Sequence, residues 1–229
     1  MDLNRRYRPQ NISEIVGQPH IVRQLTGLFE DGSGIPGVFA CLGPSGHGKT
    51  TVARVIAKRV NCTNPNGADS CGECSNCRAF EAGGLTNVQE FNSANDRGIN
   101  FVRGLAKQVR YKPRGGGKRV FIFDEAHSIT KQAMEAMLKM LEDHPDHAMF
   151  VLCTTEPQAL TTTILQRCRQ LHFKTIEPKV IARDLLKPIS RRERWRIPNR
   201  ELLKIANYGD GIPRVCVSLL GSVGASVSK

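Results

Sequence analysis

The sequence predicts an α/β fold in which a parallel β-sheet carries helices on both faces, followed by a smaller helical unit. Five short apolar runs alternate with longer amphipathic stretches over the first 173 residues. Runs that are apolar on both faces suit strands buried in the middle of a parallel sheet. After Phe173 the strand signals stop and helical periodicity continues. This change indicates a second unit made of helices alone.

Each element of this doubly wound fold has its own signal. The five predicted strands are GVFACL (37–42), NVQEF (87–91), RVFIFD (119–124), MFVLCT (149–154) and QLHF (170–173). Helices are predicted between them at 50–60, 99–109, 131–141 and 160–166. In the last quarter, Pro188, Pro198 and the turn at 209–213 separate three predicted helices near 178–187, 199–208 and 213–222. We predict domains at 1–173 and 174–225, and a frayed tail in GSVGASVSK.

Composition narrows the class of protein. The 229 residues hold 33 Lys and Arg against 21 Asp and Glu, a net charge of +12. Such a charge attracts polyanions, so nucleic acid is the expected partner, with a protein that is merely basic and soluble as the alternative. We see no membrane-spanning stretch and no signal-like N-terminus, and therefore expect a cytoplasmic protein. In that compartment the eight cysteines favour thiols and metal thiolates over disulfides.

The stretch GPSGHGKT follows the first predicted strand and precedes a predicted helix. It fits the G-x-x-x-x-G-K-[ST] pattern in the context that this pattern requires. Backbone N–H groups of such a loop wrap a triphosphate at the positive end of the helix, which implies ATP as the ligand. A glycine-rich turn that matches by chance is the alternative. The predicted phosphate-binding residues are Gly43, Pro44, Ser45, Gly46, His47, Gly48, Lys49, Thr50 and Thr51.

Acidic and hydroxyl residues follow the later strands. Asp124 and Glu125 end the strand of VFIFDEAH, at the sheet edge where ligands of open α/β folds bind. We predict that Lys49 contacts the β and γ phosphates, that Thr50 and Asp124 hold Mg²⁺, and that Glu125 deprotonates the attacking water. The alternative is a pair of carboxylates that cap the next helix. Thr155, at the end of another strand, is expected to form a hydrogen bond with the γ-phosphate or with the attacking water.

Four cysteines form a separate pattern, C-x8-C-x2-C-x2-C, at Cys62, Cys71, Cys74 and Cys77. Four thiolates in a short loop suit a closed, tetrahedral and therefore structural Zn²⁺ site. We predict that this zinc module, at about 62–77, stiffens the connection between the phosphate-loop helix and the second strand. Free thiols or one disulfide pair are the alternatives.

Several of these motifs together resemble one family. The segments that carry the resemblance are RYRPQNISEIVGQ (6–18), the phosphate loop, Asp124–Glu125, TTEPQAL (154–160), ILQRC (164–168) and GIPRV (211–215). In order and spacing the chain resembles the AAA+ ATPase subunits of sliding-clamp loaders, from Leu3 to about Leu220. The cysteine cluster inside the ATPase core is similar to that of bacterial DNA polymerase III γ/τ subunits.

The resemblance implies roles for further residues. Arg8, Pro9 and Val16 would lie in the segment that folds over the adenine and ribose. Thr155 would be the sensor 1 residue, and Arg214 the sensor 2 arginine of a helical lid, here 174–225.

A further arginine would act on a neighbouring subunit. Arg167 would be the arginine finger that reaches that subunit's ATP, and its bidentate fork suits a developing phosphoryl charge. The family usually has Ser where this chain has Gln166. The sequence also stops before the collar domain that the resemblance leads us to expect, so the chain is expected to be a fragment, a minimal form or a subunit that assembles differently.

The resemblance also implies a function and partners. We expect an ATP-hydrolysing subunit that helps to open a sliding clamp and place it on primed double-stranded DNA, in a hetero- or homo-oligomeric ring with other clamp loader subunits. The setting would be the cytoplasm of a bacterial or virus-infected bacterial cell. A non-hydrolysing AAA+ scaffold and a DNA helicase or branch-migration motor are the alternatives.

Two basic segments remain. The predicted helix at 99–109 has an apolar stripe beside a face that carries Arg103, Lys107, Arg110 and Arg114. By resemblance Arg97 and Arg103 would contact DNA phosphates, with a solvated charged face as the alternative. The second segment, SRRERWRIP (190–198), surrounds Trp195 with arginines, and we expect this tryptophan to pack locally instead of stacking on nucleic acid.

Overall fold

In a computed structural model, which describes residues 2–31, 34–113 and 115–227, the chain forms the predicted five-stranded parallel sheet. The strands lie in the order β2-β3-β4-β1-β5. Their bounds are Val38–Leu42 (β1), Val88–Asn92 (β2), Arg119–Asp124 (β3), Ala148–Thr154 (β4) and Arg169–His172 (β5). Each lies within one or two residues of the predicted strand, and every pairing is parallel. The α/β prediction is confirmed.

Seven helices precede or flank the strands in the described part of the sheet region. They are Leu3–Arg6 (α1), Pro19–Glu30 (α2), Lys49–Asn61 (α3), Ser75–Glu81 (α4), Ile99–Val109 (α5), Lys131–Glu142 (α6) and Thr162–Arg167 (α7). Helices α6 and α7 begin after Thr130 and Thr161, whose side chains accept hydrogen bonds from backbone N–H groups three residues later. The short α1 and α4, and the longer α2, were not predicted.

The sheet has a separate apolar layer on each face. Alternate residues of β1 divide between them, with Val38, Ala40 and Leu42 on one side and Phe39 and Cys41 on the other. Helices α5, α6 and α7 cover the first face, and α2, α3 and α4 cover the second. The carboxyl ends of β1, β3 and β4 therefore open at one edge between two packed layers, where the polar residues predicted for the site lie.

Three helices after β5 enclose a third apolar cluster. The first, α8, consists of consecutive segments Pro178–Val180, Ile181–Leu186 and Lys187–Arg192, and is followed by Asn199–Tyr208 (α9) and Pro213–Val227 (α10). Trp195 packs on this cluster, as expected. We call this region the lid. The domain boundary itself, 173/174, stays a prediction.

Two predictions about the lid were wrong. Helix α8 does not stop at Pro188, because the preceding segment forms a π turn in which the Lys187 N–H donates to the Ala182 carbonyl, five residues earlier. The wider turn accommodates a proline that lacks an N–H group. The predicted frayed tail is helical as far as Val227, where α10 ends, and Gly221 lies against Leu3 and Gly224 against Trp195; Ser228 and Lys229 lie outside the described residues.

Candidate functional site: a nucleotide cleft and a cysteine cluster

The phosphate loop joins β1 to α3 through three glycines with positive φ, Gly43 (145°), Gly46 (74°) and Gly48 (96°). Space also excludes larger residues, because a Cβ at Gly43 would lie 2.5 Å from the Phe173 carbonyl oxygen. A Cβ at Gly46 would lie 2.5 Å from Ile212 of the lid. The loop is thus fixed between the end of the sheet and the start of α10, with its N–H groups at the amino end of α3.

Lys49 begins α3 and is 6% exposed. Its Nζ donates to the carbonyls of Gly43 and Pro44, both at 2.9 Å. Burial lowers the pKa of this ammonium, and the nearby Glu125 carboxylate opposes the shift. The cation is therefore held inside the loop, where phosphate oxygens can replace two neutral carbonyls as its acceptors.

Oxygen ligands meet beside this lysine. The Thr50 hydroxyl donates to Asp124 Oδ1 at 3.0 Å, and the Glu125 N–H donates to the same oxygen at 3.2 Å. A hydroxyl and a carboxylate are the hard oxygen donors that Mg²⁺ prefers. The residues present therefore fit a magnesium ion shared with the phosphates.

Glu125 is held in an unusual conformation. Its backbone is left-handed, with φ 53° and ψ 46°, which costs energy for a residue with a Cβ. Its side chain is 40% exposed, and Oε2 lies 3.5 Å from His127 Nδ1. The same imidazole nitrogen lies 3.1 Å from the buried Thr154 hydroxyl, and Nε2 lies 3.7 Å from Glu156 Oε1. His127 thus links the candidate base to the end of β4. The sequence did not lead us to predict a role for this residue, although it is the histidine of the DEAH motif.

Two adjoining clefts surround the phosphate loop. The first lies between the N-terminal segment, the loop and the lid. The second contains Lys49, Thr50, Asp124 and Glu125. The residues predicted to hold nucleotide that line one or both are Arg8, Pro9, Val16, Ser45, Gly46, His47, Gly48, Lys49, Thr50, Thr51, Asp124 and Arg214. The two clefts therefore adjoin at the phosphate loop, and both are lined by Arg8, Gly46, Gly48, Thr51 and Arg214.

Arg8 and Arg214 line both clefts. Arg8 is half-buried, and burial together with the nearby Arg54 lowers the pKa of its guanidinium. Arg54 itself pairs with Glu90 at 2.7 Å, and Glu90, which sequence reasoning also missed, lines the phosphate cleft. Guanidinium groups from the N-terminal segment and from the lid thus face the same cavity, which suits a polyanion.

Two predicted catalytic residues lie outside these clefts. Thr155 follows β4 directly, and neither Thr155 nor Arg167 is among the described residues that line the two cavities. Arg167 ends α7, where it pairs with Glu142 at 2.5 Å and donates to the Thr163 carbonyl at 3.0 Å. The structure does not bring Arg167 to the chain's own phosphate loop.

The predicted cysteines do come together. The four Sγ atoms of Cys62, Cys71, Cys74 and Cys77 lie within 4.8 Å of one another. Tetrahedral ligation at a Zn–S distance of about 2.3 Å separates sulfurs by about 3.8 Å, close to the 3.5 Å between Cys62 and Cys71 and the 4.0 Å between Cys71 and Cys77. The donor set therefore fits Zn²⁺.

Backbone groups prepare these sulfurs for a cation. N–H groups of Cys71 and Cys74 donate to the sulfurs of Cys62 and Cys71, at 3.3 Å each. Burial pushes the pKa of Cys74 upward, but hydrogen bonds with Thr63 and Cys77 together outweigh it and leave a pKa of about 5. Burial raises the pKa of Cys77 to about 12. A divalent cation would stabilise the thiolate at all four positions.

The basic face of α5 is where the sequence placed it. Arg97, Arg103, Lys107 and Arg110 are exposed, while Val102, Leu105 and Val109 are buried against the sheet. Arg114 lies outside the described residues. No helix in the described ranges is long and apolar enough to cross a bilayer.

Comparison with known proteins gives a consistent result. Residues 17–177 match the protein family described as DNA polymerase III, delta subunit. The chain is 36% identical over 217 residues to the DNA polymerase III subunit tau/gamma of Haemophilus influenzae, and 37% identical over 221 residues to the subunit gamma/tau of Mycoplasma pneumoniae. These alignments cover 95% and 96% of this chain but only 31% and 32% of the relatives. The chain thus spans about a third of their length.

Solved structures show the same fold. The Thermotoga maritima RuvB Holliday junction branch migration motor superimposes with a TM-score of 0.72 at 20% identity, covering 97% of this chain and 66% of that one. A point variant of the same motor gives 0.73 at the same identity. At this identity the likeness concerns the fold alone. Since the family match spans well over half of the chain, this protein belongs to the DNA polymerase III delta subunit family, has the fold of an AAA+ ATPase, and is similar to tau/gamma subunits over nearly its whole length.

Proposed function

We propose that this protein is an ATP-hydrolysing clamp loader subunit that helps to open a sliding clamp and place it on primed DNA. The observation that carries the proposal is the phosphate cleft, in which Lys49, Thr50, Asp124 and Glu125 line one cavity. Relatives named as DNA polymerase III subunits, at 34–37% identity, support the replication role.

Hydrolysis is divided among residues with different tasks. Lys49 exchanges its two carbonyl acceptors for β and γ phosphate oxygens and balances their charge. Thr50 and Asp124 would hold Mg²⁺, which supplies Lewis acidity at the phosphates when bound. Glu125 orients the attacking water and accepts its proton. Its side chain lies within 3.5 Å of His127 Nδ1, which would help to hold it in place.

The remaining roles concern the base side and the neighbouring subunit. Arg8, Pro9 and Val16 form the wall over adenine and ribose, and Arg214 couples the lid to the phosphates as sensor 2. Thr155 acts as sensor 1. Arg167, exposed at the end of α7, is directed to ATP held by a second subunit, which accounts for its distance from the chain's own cleft.

Assembly follows from these roles. We propose partners of three kinds, namely other clamp loader subunits in a hetero- or homo-oligomeric ring, a sliding clamp, and primed double-stranded DNA contacted through Arg97 and Arg103. The site of action is the cytoplasm. The zinc module, held by Cys62, Cys71, Cys74 and Cys77, is structural, since four thiolates leave no open position for chemistry.

Two alternatives are weaker. A non-hydrolysing scaffold has no need of Glu125 in a strained backbone beside an intact Lys49, Thr50 and Asp124. A branch-migration motor shares the fold, but its similarity stands at 20% identity against 36% for the tau/gamma relative. Fold alone does not determine function.

A clamp-placement assay tests the proposal. The chain would replace the tau/gamma subunit in a reconstituted clamp loader, and labelled clamp retained on primed circular DNA would be counted. We expect retention that depends on ATP and is lost in Lys49→Ala. A chain that unwinds duplex but retains no clamp would support the motor instead.

A further inference from the structure

The lid carries an unusual share of the chain's charge. Residues 174–225 contain eleven Lys and Arg against five Asp and Glu, a net +6 out of the chain's +12, in less than a quarter of its length. The nucleotide site uses only Arg214 of these eleven. The other cations have no role in the function proposed above.

Four of these cations form one row along α8. Lys179, Arg183, Lys187 and Arg191 are spaced by four residues, and we call them the lid row. In an uninterrupted α-helix such a row drifts by about 40° per step, because four residues exceed the 3.6 of one turn. The π turn at Ile181–Leu186 takes more residues per turn and opposes this drift.

Three members of the lid row therefore lie along one groove of the surface. Lys179, Arg183 and Lys187 line the same open groove between α8 and α9, together with Leu202 and Leu203. Successive members of the row are about 6 Å apart along the axis, and the whole row spans about 18 Å. Cations at regular intervals along a line match a ligand with regularly repeated anions.

Acidic side chains do little to neutralise the lid row. Asp184 pairs with Arg183 at 2.7 Å. Glu193 is instead bound by Arg6 at 2.7 Å and by the Tyr7 hydroxyl, on the side of the N-terminal segment, and Glu201 pairs with Lys204 at 2.8 Å. Within the part of the chain that the structure describes, no ion pair involves Lys179, Lys187 or Arg191.

The aromatic side chain of the loop after α8 is held against the lid by internal contacts. Trp195 N–H donates to the Ser190 carbonyl at 2.9 Å, and the Ser190 hydroxyl donates to the Trp195 carbonyl at 2.9 Å. The indole packs on the lid cluster and against Gly224. Among the described residues that line the groove none is aromatic. A groove without an aromatic side chain for stacking binds phosphates and not unstacked bases, which favours a duplex over a single strand.

We propose that the lid row is a second nucleic-acid-binding surface, which holds the phosphate backbone of a duplex without regard to sequence. It is separate from the α5 face, because β2 and β5 are opposite edges of the sheet and the lid follows β5. Binding through it needs neither ATP nor hydrolysis, so its test is independent of the proposed function.

The test measures affinity for a short labelled duplex of random sequence by fluorescence anisotropy, without nucleotide, between about 50 and 200 mM salt. The variant Lys179→Gln/Lys187→Gln/Arg191→Gln removes three phosphate contacts. We expect the slope of log affinity against log salt to become shallower by about 2.7, at about 0.9 per contact. The variant Lys179→Arg/Lys187→Arg/Arg191→Lys keeps the three positive charges and should therefore keep the slope of the wild-type chain.

A control of equal charge change separates a site from a general field. Arg23→Gln/Arg78→Gln/Lys131→Gln removes three exposed cations from other helices and should leave the slope unchanged. An equal decrease of the salt slope in both triple variants would overturn the proposal. An unchanged salt slope in the lid variant would also overturn it, and would assign the lid row to an acidic protein partner. The decrease in slope caused by Arg97→Gln/Arg103→Gln should add to the decrease caused by the lid variant, since the two surfaces are separate.

Discussion

Removal of the His127 imidazole tests whether Glu125 depends on its neighbour for position. In His127→Ala the nitrogen that lies 3.5 Å from Glu125 Oε2 and 3.1 Å from Thr154 Oγ1 is lost. The carboxylate is 40% exposed, so without this contact it is free to turn toward solvent. Displacement of a reacting group by about 1 Å costs on the order of 10²-fold in rate.

We therefore expect kcat for ATP hydrolysis to fall by about 10²-fold in His127→Ala. The KM for ATP should stay the same, because His127 is not among the described residues that line the nucleotide clefts. The assay is steady-state phosphate release over a range of ATP concentrations. The matched control is His127→Asn, whose amide nitrogen can occupy the position of Nδ1 and donate to the same oxygens.

The two variants give distinct results if the reasoning is right. His127→Asn should recover at least a tenth of the unchanged kcat, while His127→Ala should not. Equal rates in both variants would refute a positioning role, and an equal rise of KM in both would point to a general disturbance of the site.

The other predictions concern separate parts of the molecule. Cys74→Ser should reduce bound zinc from about one ion per chain to a small fraction in metal analysis, whereas Cys216→Ser, in the lid core, should not; unchanged zinc in Cys74→Ser would exclude the cysteine cluster as the metal site. Arg167→Ala should abolish ATPase stimulation in the assembled complex while nucleotide binding to the isolated chain persists, and weaker binding would place Arg167 in its own site. Trp195→Ala should destabilise the lid by up to about 3 kcal/mol in urea unfolding without changing the salt slope of duplex binding, since its ring packs internally; a shallower slope would contradict this.

The sequence was most informative where a local pattern determines geometry. All five strands and the phosphate loop were predicted, because buried parallel strands and glycine-rich turns have strong local signals. The cysteine cluster was predicted as well, since its spacing confines four sulfurs to one short connection. Thr50 and Asp124 were expected to lie close together, because Thr50 ends the phosphate-loop pattern and Asp124 ends a predicted strand.

The errors occur where distant contacts decide the structure. Helix α8 continues beyond Pro188 because a π turn accommodates the proline. Helix α10 extends to Val227 because Gly221 and Gly224 lie against Leu3 and Trp195. Neither effect is visible in a local window. His127 was missed because its importance depends on Thr154, which is 27 residues away. The short α1 and α4 have too few residues for a helical period to be read.

Hydrolysis of ATP in the cleft around Lys49 and Glu125 is the step on which the proposed function rests. It is tested directly by phosphate release from the purified chain with Mg²⁺, beside ATP binding measured by equilibrium dialysis, for the wild-type chain and for Glu125→Gln. The predicted result is that Glu125→Gln binds ATP as before while phosphate release falls by about 10²- to 10⁴-fold, the share that general base catalysis contributes. Equal phosphate release by the two proteins would contradict the assignment of this cleft as the hydrolytic site.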